Sequence, residues 1–333
     1  MRVLAALDKF RGTATAAEAA NAVGAAGWEL GHDVDECPLS DGGEGLVDVL
    51  GGANRTTTVN GPLGVPVEAA WRFDGRTAVI EMARASGMVL VGGPEHNDPL
   101  AATTAGTGEL IDRATEMGAR TVLVGLGGSA TTDGGLGALE AMRSPARFGA
   151  VTLEVACDVR TTFVDAAAVF APQKGASPVQ VAFLTSRLQQ LADRYLADYG
   201  VDVRELEGSG AAGGLAGGLA AFGGTLLPGF DLVADHVDLH DRIDRADVVV
   251  TGEGFLDRQS LDGKVVGGTC ALAASFATPA VVVVGGADPD ARAELLDRPG
   301  DVTVVSLVES FGDERAHRET RWCIEHAVRE ALS

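Results

Sequence analysis

Apolar residues form short buried runs that alternate with stretches of helical spacing at the start of the chain. Arg2–Leu7 (RVLAAL) predicts a buried strand. Thr15 and Glu18 have the spacing of a capping box, and the apolar positions after them predict a helix that stops near Gly31. Val34–Leu39 predicts a second strand. This strand–helix–strand order is typical of a parallel α/β unit.

The pattern changes between residues 56 and 81. Three short strands, TTTVN, PVEAAWRF and TAVIEM, are separated by the turn signals NGPLG and DGR. They predict an antiparallel meander. We interpret it as the start of a second domain that is inserted into the first.

The remaining elements return to an alternation of helices and strands. The predicted helices are a short one at LVDVL after Asp41, then Thr103–Met117, Ser177 to about Tyr199, and Glu314–Leu332. The predicted strands are Thr121–Val124, Leu153–Asp158, Val248–Thr251, Ala280–Val284 and Val302–Leu307. We therefore predict a two-domain α/β protein, with one domain formed by 1–55 plus 280–333 and the other by 56–279.

Composition narrows the class of partner. With a formal net charge of −21 over 333 residues, the surface repels nucleic acid and anionic lipid. No run of about 18 apolar residues predicts a membrane span. The four cysteines form no C-x-x-C pair and are expected to be reduced thiols, as in a cytoplasmic protein.

Lysine is rare, and its placement is informative. Only three of the 26 basic residues are lysines: Lys9, Lys174 and Lys264. Each lies in a glycine-containing segment. An acidic protein that binds an anion must supply local positive charge, so we predict a functional role for at least two of them. The alternative is a genomic preference for arginine with three lysines left over.

Glycine-rich turns are the strongest candidates for a binding site. Five of them follow strands or open helices: Asp8–Gly12, Ser40–Gly45, Gly127–Gly137, Gly208–Gly218 and Thr251–Gly254. Loops at the carboxyl ends of parallel strands gather at one edge, where backbone N–H groups can bind phosphate. None of the five is a standard P-loop. The G-x-G-x-x-G at Gly208 lacks a good preceding strand, so nicotinamide binding is not expected.

Carboxylates share these positions. They are Asp8, Asp41, Glu44, Asp133, Asp158, Glu253 and Asp257. Phosphoryl transfer needs carboxylates for Mg²⁺ and for the proton of the acceptor hydroxyl. The alternative for Asp41 and Asp133 is helix capping. His236 and His240 lack the glutamate of a zinc protease motif, and the chain has no G-x-S-x-G elbow.

Taken together, these motifs resemble the type I glycerate kinases. The matching stretches are DKFRGTATAAEAANAV, CPLSDGGEG, GPLG with AVIEMARASG, TTAGTGELI, GLGGSATTDGGLG, CDV with AVFAPQKGAS, GSGAAGGLAGG, TGEGFLDRQSLDGK and VVVVGGA. They occur in the family's order. The resemblance implies a flavodoxin-like parallel-sheet domain with an inserted mixed α/β domain whose core is likened to restriction endonucleases. It also implies ATP- and Mg²⁺-dependent phosphorylation of D-glycerate, mostly to 2-phosphoglycerate.

On this basis we expect a small hydroxy acid and a nucleotide as partners, with a homodimer left open. The expected catalytic residues are Asp8, Lys9, Arg11 and Asp158, with Asp8 or Asp158 as the base. Nucleotide contacts are expected from Gly127, Gly128, Ser129, Thr131, Gly210, Gly213, Gly214 and Lys264. Mg²⁺ ligands are expected among Asp41, Asp133 and Glu253.

The chain departs from the family pattern in three places. The segment RSPARFGAVTLEVA before CDV is short, and RTTFVDAA after it replaces the family's DNPL and a glycine-containing turn. Lys9 stands where serine is common, and Arg11 where lysine is usual. A non-catalytic protein that binds a nucleotide or a phosphorylated acid is therefore the alternative function.

Overall fold

A computed structural model describes residues 1–142 and 148–333, which form two compact units. The first unit comprises Met1–Asp41 and Phe230–Ser333, and the second comprises Gly42–Gly229. The strands are β1 (Arg2–Leu7), β2 (Asp33–Glu36), β3 (Arg55–Asn60), β4 (Pro66–Phe73), β5 (Thr77–Glu81), β6 (Thr121–Gly125), β7 (Thr152–Ala156), β8 (Thr225–Leu227), β9 (Val248–Leu256), β10 (Ala280–Ala287) and β11 (Val302–Ser306).

The described α-helices are numbered in chain order. They are α1 (Ala16–Glu29), α2 (Leu46–Val49), α3 (Ala83–Ser86), α4 (Ala105–Glu116), α5 (Leu136–Ala141), α6 (Ala166–Phe170), α7 (Pro178–Tyr199), α8 (Ala211–Ala221), α9 (Gly229–His236), α10 (Leu239–Asp244), α11 (Val265–Ser275), α12 (Pro289–Asp297), α13 (Leu307–Phe311), α14 (Asp313–Arg318) and α15 (Thr320–Ala331). Short 3₁₀ turns lie at Met88–Val91, Pro172–Lys174 and Gln259–Leu261. No described helix is both long enough and apolar enough to cross a bilayer.

The first unit is built on a parallel five-stranded sheet. Its order is β11-β10-β9-β1-β2, and every neighbouring pair is parallel. Counted within the unit, this is the order 2-1-3-4-5 of doubly wound, flavodoxin-like sheets. The strand order reverses between β1 and β9: from β1 the chain adds β2 on one side of the sheet, and then β9, β10 and β11 on the other. In such folds, ligands bind beside this reversal, outside the carboxyl ends of the strands.

Helices cover both faces of this sheet. Alternate residues of β1 (Val3, Ala5 and Leu7) are buried in one cluster with residues of α1 and α15. The intervening residues of a strand point to the opposite face, where α11 packs on β9. The predicted capping box is confirmed, because Thr15 Oγ1 accepts from the Glu18 N–H while Glu18 accepts from the Thr15 N–H.

The second unit is built on a mixed six-stranded sheet of order β3-β4-β5-β6-β7-β8. The meander predicted for residues 56–81 is confirmed, since β3–β4 and β4–β5 are antiparallel. From β5 onward the neighbouring pairs are parallel. The long helix α7 begins at the predicted cap, where Ser177 and Gln180 form a second capping box. The predicted α/β class is confirmed.

The bounds of the two units differ from those of the predicted domains. Residues 42–55 lie in the second unit, and 230–279 lie in the first. The reason is β9, which pairs with β1 on one side and β10 on the other and so belongs to the first sheet. This pairing joins segments that are remote in sequence and leaves no local signal.

Two local predictions need correction, and one strand was missed. Thr251–Gly254 is not a turn, because β9 continues through it to Leu256. The closing helix 314–332 is divided at Glu319, whose φ of −124° interrupts the helical backbone between α14 and α15. Strand β8 was not predicted. The first residues of the shortened segment before CDV, 143–147, lie outside the described residues.

Candidate active site

A cavity of about 670 Å³ opens in the first unit at the carboxyl ends of β1, β9 and β10. This is the position that the strand order marks for ligand binding. Among the residues that line it are seven charged residues that the sequence analysis singled out: Asp8, Lys9, Arg11, Asp41, Glu253, Asp257 and Lys264. The fold therefore brings together residues from both ends of the chain.

Asp8 lies where β1 ends. Its backbone N–H donates to the carbonyl of Gly252 in β9 at 2.9 Å, and its side chain accepts from the Lys9 N–H at 2.7 Å. Only 8% of the residue is exposed. The pKa of Asp8 is raised to about 6. Burial is the main cause, the carboxylate of Asp41 contributes to the increase, and the positive charge of Lys9 opposes it.

Lys9 forms ion pairs with two carboxylates. Its Nζ lies 3.6 Å from Asp8 Oδ1 and 3.7 Å from Asp41 Oδ1. All three side chains are mostly shielded from water, so these charges interact more strongly than a pair on the open surface. The result is a compact group of one cation and two carboxylates at the carboxyl end of the parallel sheet.

Glu253 supplies a further carboxyl from β9. Burial raises its pKa to about 7, although a hydrogen bond with Ser260 lowers it, and the charge of Asp8 adds to the increase. Its Oε1 is buried and has no hydrogen-bond partner among the described residues. Asp8 and Glu253 thus change protonation near neutral pH, which suits groups that exchange protons with a substrate.

Lys264 introduces positive charge at a helix start. It is the N-cap residue of α11, whose first N–H groups and dipole favour an anion. The turn before it is fixed because Asp257 and Ser260 exchange hydrogen bonds of 3.0 and 3.1 Å. The arrangement can hold a carboxylate or a phosphoryl group.

Arg11 reaches the cavity from a tight turn in which Phe10 and Ala14 pair. This turn packs closely on β9. A Cβ at Gly254 would lie 3.1 Å from the Arg11 nitrogen and 3.3 Å from the Phe10 Cα, so glycine permits the approach. The Arg11 side chain is exposed and lines the cavity.

In the second unit, the loop Gly127–Gly137 follows β6 and encloses Asp133. The Asp133 carboxylate accepts from five donors: Thr103 Oγ1, the N–H and hydroxyl of Thr104, and the N–H groups of Gly135 and Gly137. It therefore does more than cap α5, because it ties this loop to the start of α4. Residues 130–135 of the loop are buried, whereas its front, Gly127–Ser129, and its last two residues are at least partly accessible to solvent.

The second glycine cluster of this unit is buried against the first. Ala212, Gly213 and Gly214 all have positive φ, and a Cβ at Gly213 would lie 2.0 Å from the Thr131 carbonyl oxygen. The N–H of Gly134 donates to the Gly213 carbonyl at 3.0 Å. Gly210 is buried as well. Here glycine permits two backbones to pack in contact.

Two other residues from the sequence analysis lie in the second unit. Lys174 is 3% exposed and donates from Nζ to Ser129 Oγ and to the Thr131 carbonyl, each at 2.7 Å. Burial lowers its pKa to about 7, and the charge of Asp133 opposes this shift. Asp158 is exposed, and its Oδ1 accepts from the Gly229 N–H at 2.6 Å.

Comparison with known proteins identifies the class of enzyme. The family model described as the glycerate kinase family matches residues 3–146 and 141–333. The chain is 35% identical to the glycerate 2-kinase of Escherichia coli (strain K12), over 94% of this chain and 92% of that protein. It is 38% identical to the glycerate kinase of Bacillus subtilis (strain 168), over 88% and 87% of the two chains.

A solved structure gives the same result. The crystal structure of "putative glycerate kinase 2 from Salmonella typhimurium LT2" matches with a TM-score of 0.84 and 33% identity, over 100% of this chain and 98% of that one. The chain belongs to the glycerate kinase family. It is accordingly a phosphotransferase with an alcohol group as acceptor.

The carboxylates of this kinase do not form a ready-made metal cage. Among residues 1–142 and 148–333, no group of three or more His, Cys, Asp or Glu side chains is placed to hold a metal ion. Mg²⁺ usually takes only one or two protein carboxylates and completes its shell with water and phosphate oxygens. Glu253, with its unpartnered Oε1, and Asp41 fit that requirement chemically.

The kinase cavity also has a wall that sequence reasoning missed. It includes Ser306, Glu309, His317 and Thr320. Ser306 ends β11 and its Oγ accepts from the Glu309 N–H at 3.4 Å, so the strand-end rule would have found this pair. His317 and Thr320 lie on the closing helices, with no glycine or strand end beside them to mark them.

Proposed function

We propose that this enzyme transfers the γ-phosphoryl group of ATP to the C2 hydroxyl of D-glycerate, which gives 2-phosphoglycerate. The similarity to proteins named glycerate kinase and glycerate 2-kinase supports the acceptor. The observation that carries the proposal is the group of charges where the strand order of the first sheet reverses: mostly buried Lys9 lies between Asp8 and Asp41.

Asp8 is the proposed base. It is buried at the end of a strand, and its pKa of about 6 leaves it ionised at neutral pH while keeping it a useful proton acceptor. Lys9 holds its carboxylate in place. Asp158 remains the alternative base that the sequence predicted. Substituting Asp8 and Asp158 in turn, and measuring turnover, distinguishes the two candidates.

Positive charge in the same cavity would bind the acidic part of the substrate. Lys9 and Arg11 are proposed to hold the glycerate carboxylate or the phosphoryl group in transfer. Lys264 and the start of α11 offer a second anion contact. An arginine in place of the family's usual lysine keeps the charge at position 11 but presents a planar fork of donors.

Nucleotide and metal are assigned as separate proposals. When bound, Mg²⁺ would neutralise phosphate charge and help to orient the phosphoryl group. Asp41 and Glu253 are the proposed ligands in the first unit; Asp133 stays a prediction, with its oxygens already engaged by five donors. In the second unit, Gly127, Gly128 and Ser129 are the accessible candidates for nucleotide phosphates, while Thr131, Gly210, Gly213 and Gly214 stay predictions.

The test is a coupled assay on a panel of small hydroxy acids with ATP and Mg²⁺. Release of ADP with D-glycerate supports the transfer. Product that enolase converts without phosphoglycerate mutase is the 2-phosphate, whereas a requirement for the mutase identifies the 3-phosphate and corrects the position. A thermal shift with nucleotide but no turnover on any acid would favour the non-catalytic alternative.

A further inference from the structure

The inner half of the loop Gly127–Gly137 is held through its carbonyl oxygens by side chains from elsewhere in the second unit. Three successive carbonyls, those of residues 130–132, each accept a hydrogen bond from a different side chain. The donors are Asn97 Nδ2 at 3.0 Å, Lys174 Nζ at 2.7 Å and Arg187 Nη2 at 2.5 Å. These donors come from three separate segments, so the loop is fixed from several sides.

The three donors are themselves anchored. Asn97 also donates to the Lys174 carbonyl at 2.9 Å, and Arg187 also donates to the Leu100 carbonyl at 2.9 Å. Lys174 is the most deeply buried of the three, and its second bond goes to the Ser129 hydroxyl. Removing one donor therefore leaves a buried carbonyl without its partner, which the loop can relieve only by changing shape.

The carbonyl oxygens of the inner part of the loop are occupied, whereas the N–H groups of its front are available to a ligand. Within the described residues, the N–H groups of Gly127, Gly128 and Ser129 donate to no protein group. Gly128 is exposed and has φ +72°, a conformation that favours glycine and that occurs in the backbone N–H nests that bind anions. The same part of the unit contains three further buried polar atoms without a partner: Asn97 Oδ1, Thr132 Oγ1 and Arg187 Nε. Buried polar atoms are usually satisfied by protein, ordered water or a ligand.

We propose that Lys174 and Arg187 are positioning residues that hold the loop 127–132 in the shape that binds the phosphates of the nucleotide. They act through the loop carbonyls and leave the N–H groups of Gly127–Ser129 for the anion. A loop fixed before binding loses less conformational entropy when the nucleotide arrives. This inference rests on the proposed function, because it assumes that the loop receives nucleotide phosphates.

The experiment compares Lys174→Met and Arg187→Met with a matched control, Arg194→Met. Arg194 lies two turns after Arg187 on α7, where it pairs with exposed Asp198 and touches no loop carbonyl. We expect both positioning variants to raise the Kd for ADP by about 10- to 100-fold, the loss of one or two buried hydrogen bonds. The control should stay within about twofold of the wild type.

A second ligand separates positioning from general damage. The KM for glycerate should change less than about threefold in both variants, and the loss of affinity should be greater for ADP than for adenosine, which lacks phosphate. A variant that is only destabilised would lose soluble protein or melt earlier without this selectivity. Because Lys174→Met removes a buried group and threatens folding, Ser129→Ala serves as the milder variant, which removes one of the two acceptors of Lys174.

The outcomes distinguish this inference from the proposed function. If wild-type protein binds no ADP and transfers no phosphoryl group, the proposed function fails. If the wild type binds ADP and Arg187→Met and Ser129→Ala bind it equally well, the positioning role is overturned while the kinase remains. Equal losses for ADP and adenosine would also overturn it, since the effect would then not depend on phosphate.

Discussion

Asp8 and Asp133 offer a direct comparison between the two units. Each follows a strand, each lies in a glycine-containing loop, and each is 8% exposed. The Asp133 carboxylate is surrounded by five donors from its own unit. Asp8 accepts from the Lys9 N–H and otherwise faces an ion pair and a cavity, and its pKa is raised to about 6.

Burial alone therefore does not distinguish a carboxylate that faces a cavity from one that is held by hydrogen bonds. What matters is how the buried charge is compensated. A carboxylate that is held by several fixed donors is part of the framework. Burial beside a second carboxylate disfavours the charge and leaves the group ready to take a proton. The variants below separate these two situations.

The largest contrast is expected between Asp8→Asn and Asp133→Asn. Loss of the base at Asp8 should lower kcat/KM by about 10²- to 10⁴-fold. Above pH 6 its free energy of unfolding should stay equal or rise, because the charge that burial disfavours is removed. Asp133→Asn should instead lower the free energy of unfolding by about 1–3 kcal/mol, since an amide cannot accept from all five donors.

Steady-state kinetics and urea unfolding at pH 7.5 measure both effects. The framework role of Asp133 is contradicted if Asp133→Asn keeps its stability and loses turnover. In that case Asp133 is part of the chemistry, and Asp8→Asn would show the smaller kinetic effect.

The cations of the cavity provide the second test. Lys9→Ala and Arg11→Ala should each lower kcat/KM for glycerate by about 10- to 10³-fold with an intact fold, because a charged contact to the substrate is lost. Arg245→Ala is the control in the same unit, since its side chain, at the C-cap of α10, is 54% exposed and outside the cavity. Near-wild-type activity in both cavity variants would remove this substrate assignment.

Glycine substitutions test the framework in the second unit. Gly213→Ala should cost about 2–4 kcal/mol of unfolding free energy, because φ is +67° and its Cβ would meet the Thr131 carbonyl oxygen at 2.0 Å. Gly12→Ala has φ +81° with no atom within 4 Å and should cost only about 1–2 kcal/mol. Equal costs in denaturant melts would mean that the packing of the two glycine loops adds nothing to stability.

The smallest effect is expected in the pH dependence of kcat/KM. Because Asp8 must be ionised to act as a base and its folded pKa is about 6, kcat/KM should fall about tenfold per unit as pH drops below that value. Burial raises the pKa of Glu253, which lines the same cavity, to about 7, so its titration is expected to widen this limb. Glu253→Gln should leave a single acidic limb. A profile that is flat from pH 5 to 8 would contradict the assignment of Asp8.

Local signals predicted the secondary structure where local chemistry determines it. The two capping boxes, at Thr15 and Ser177, start helices as expected. The prediction for β9 stopped at Thr251 because glycines, such as Gly252 and Gly254, are usually turn residues. The strand in fact continues to Leu256. In this sheet they permit close neighbours: a Cβ at Gly252 would lie 1.9 Å from the Val283 carbonyl oxygen. Such packing depends on strands that are distant in sequence.

The candidate site followed the same rule. Asp8 and Lys9 were predicted to lie beside the cavity because they follow a strand, whereas Glu253 lines it from within β9, which continues past the predicted turn. His317 was missed because only the packing of the closing helices brings it there. The glycine loops were recognised, but their sequence could not show that Gly213 is buried while Gly128 is exposed.

The interruption of the first unit also affects how the protein is made. On the ribosome, β1 and β2 emerge early, but their neighbour β9 follows only after the whole of Gly42–Gly229. At about 5–20 residues per second, β1 waits on the order of ten seconds or longer for its partner. During that time the unpaired edge of β1 is an aggregation hazard, and the cavity at its carboxyl end cannot form until β9 and β10 have been translated.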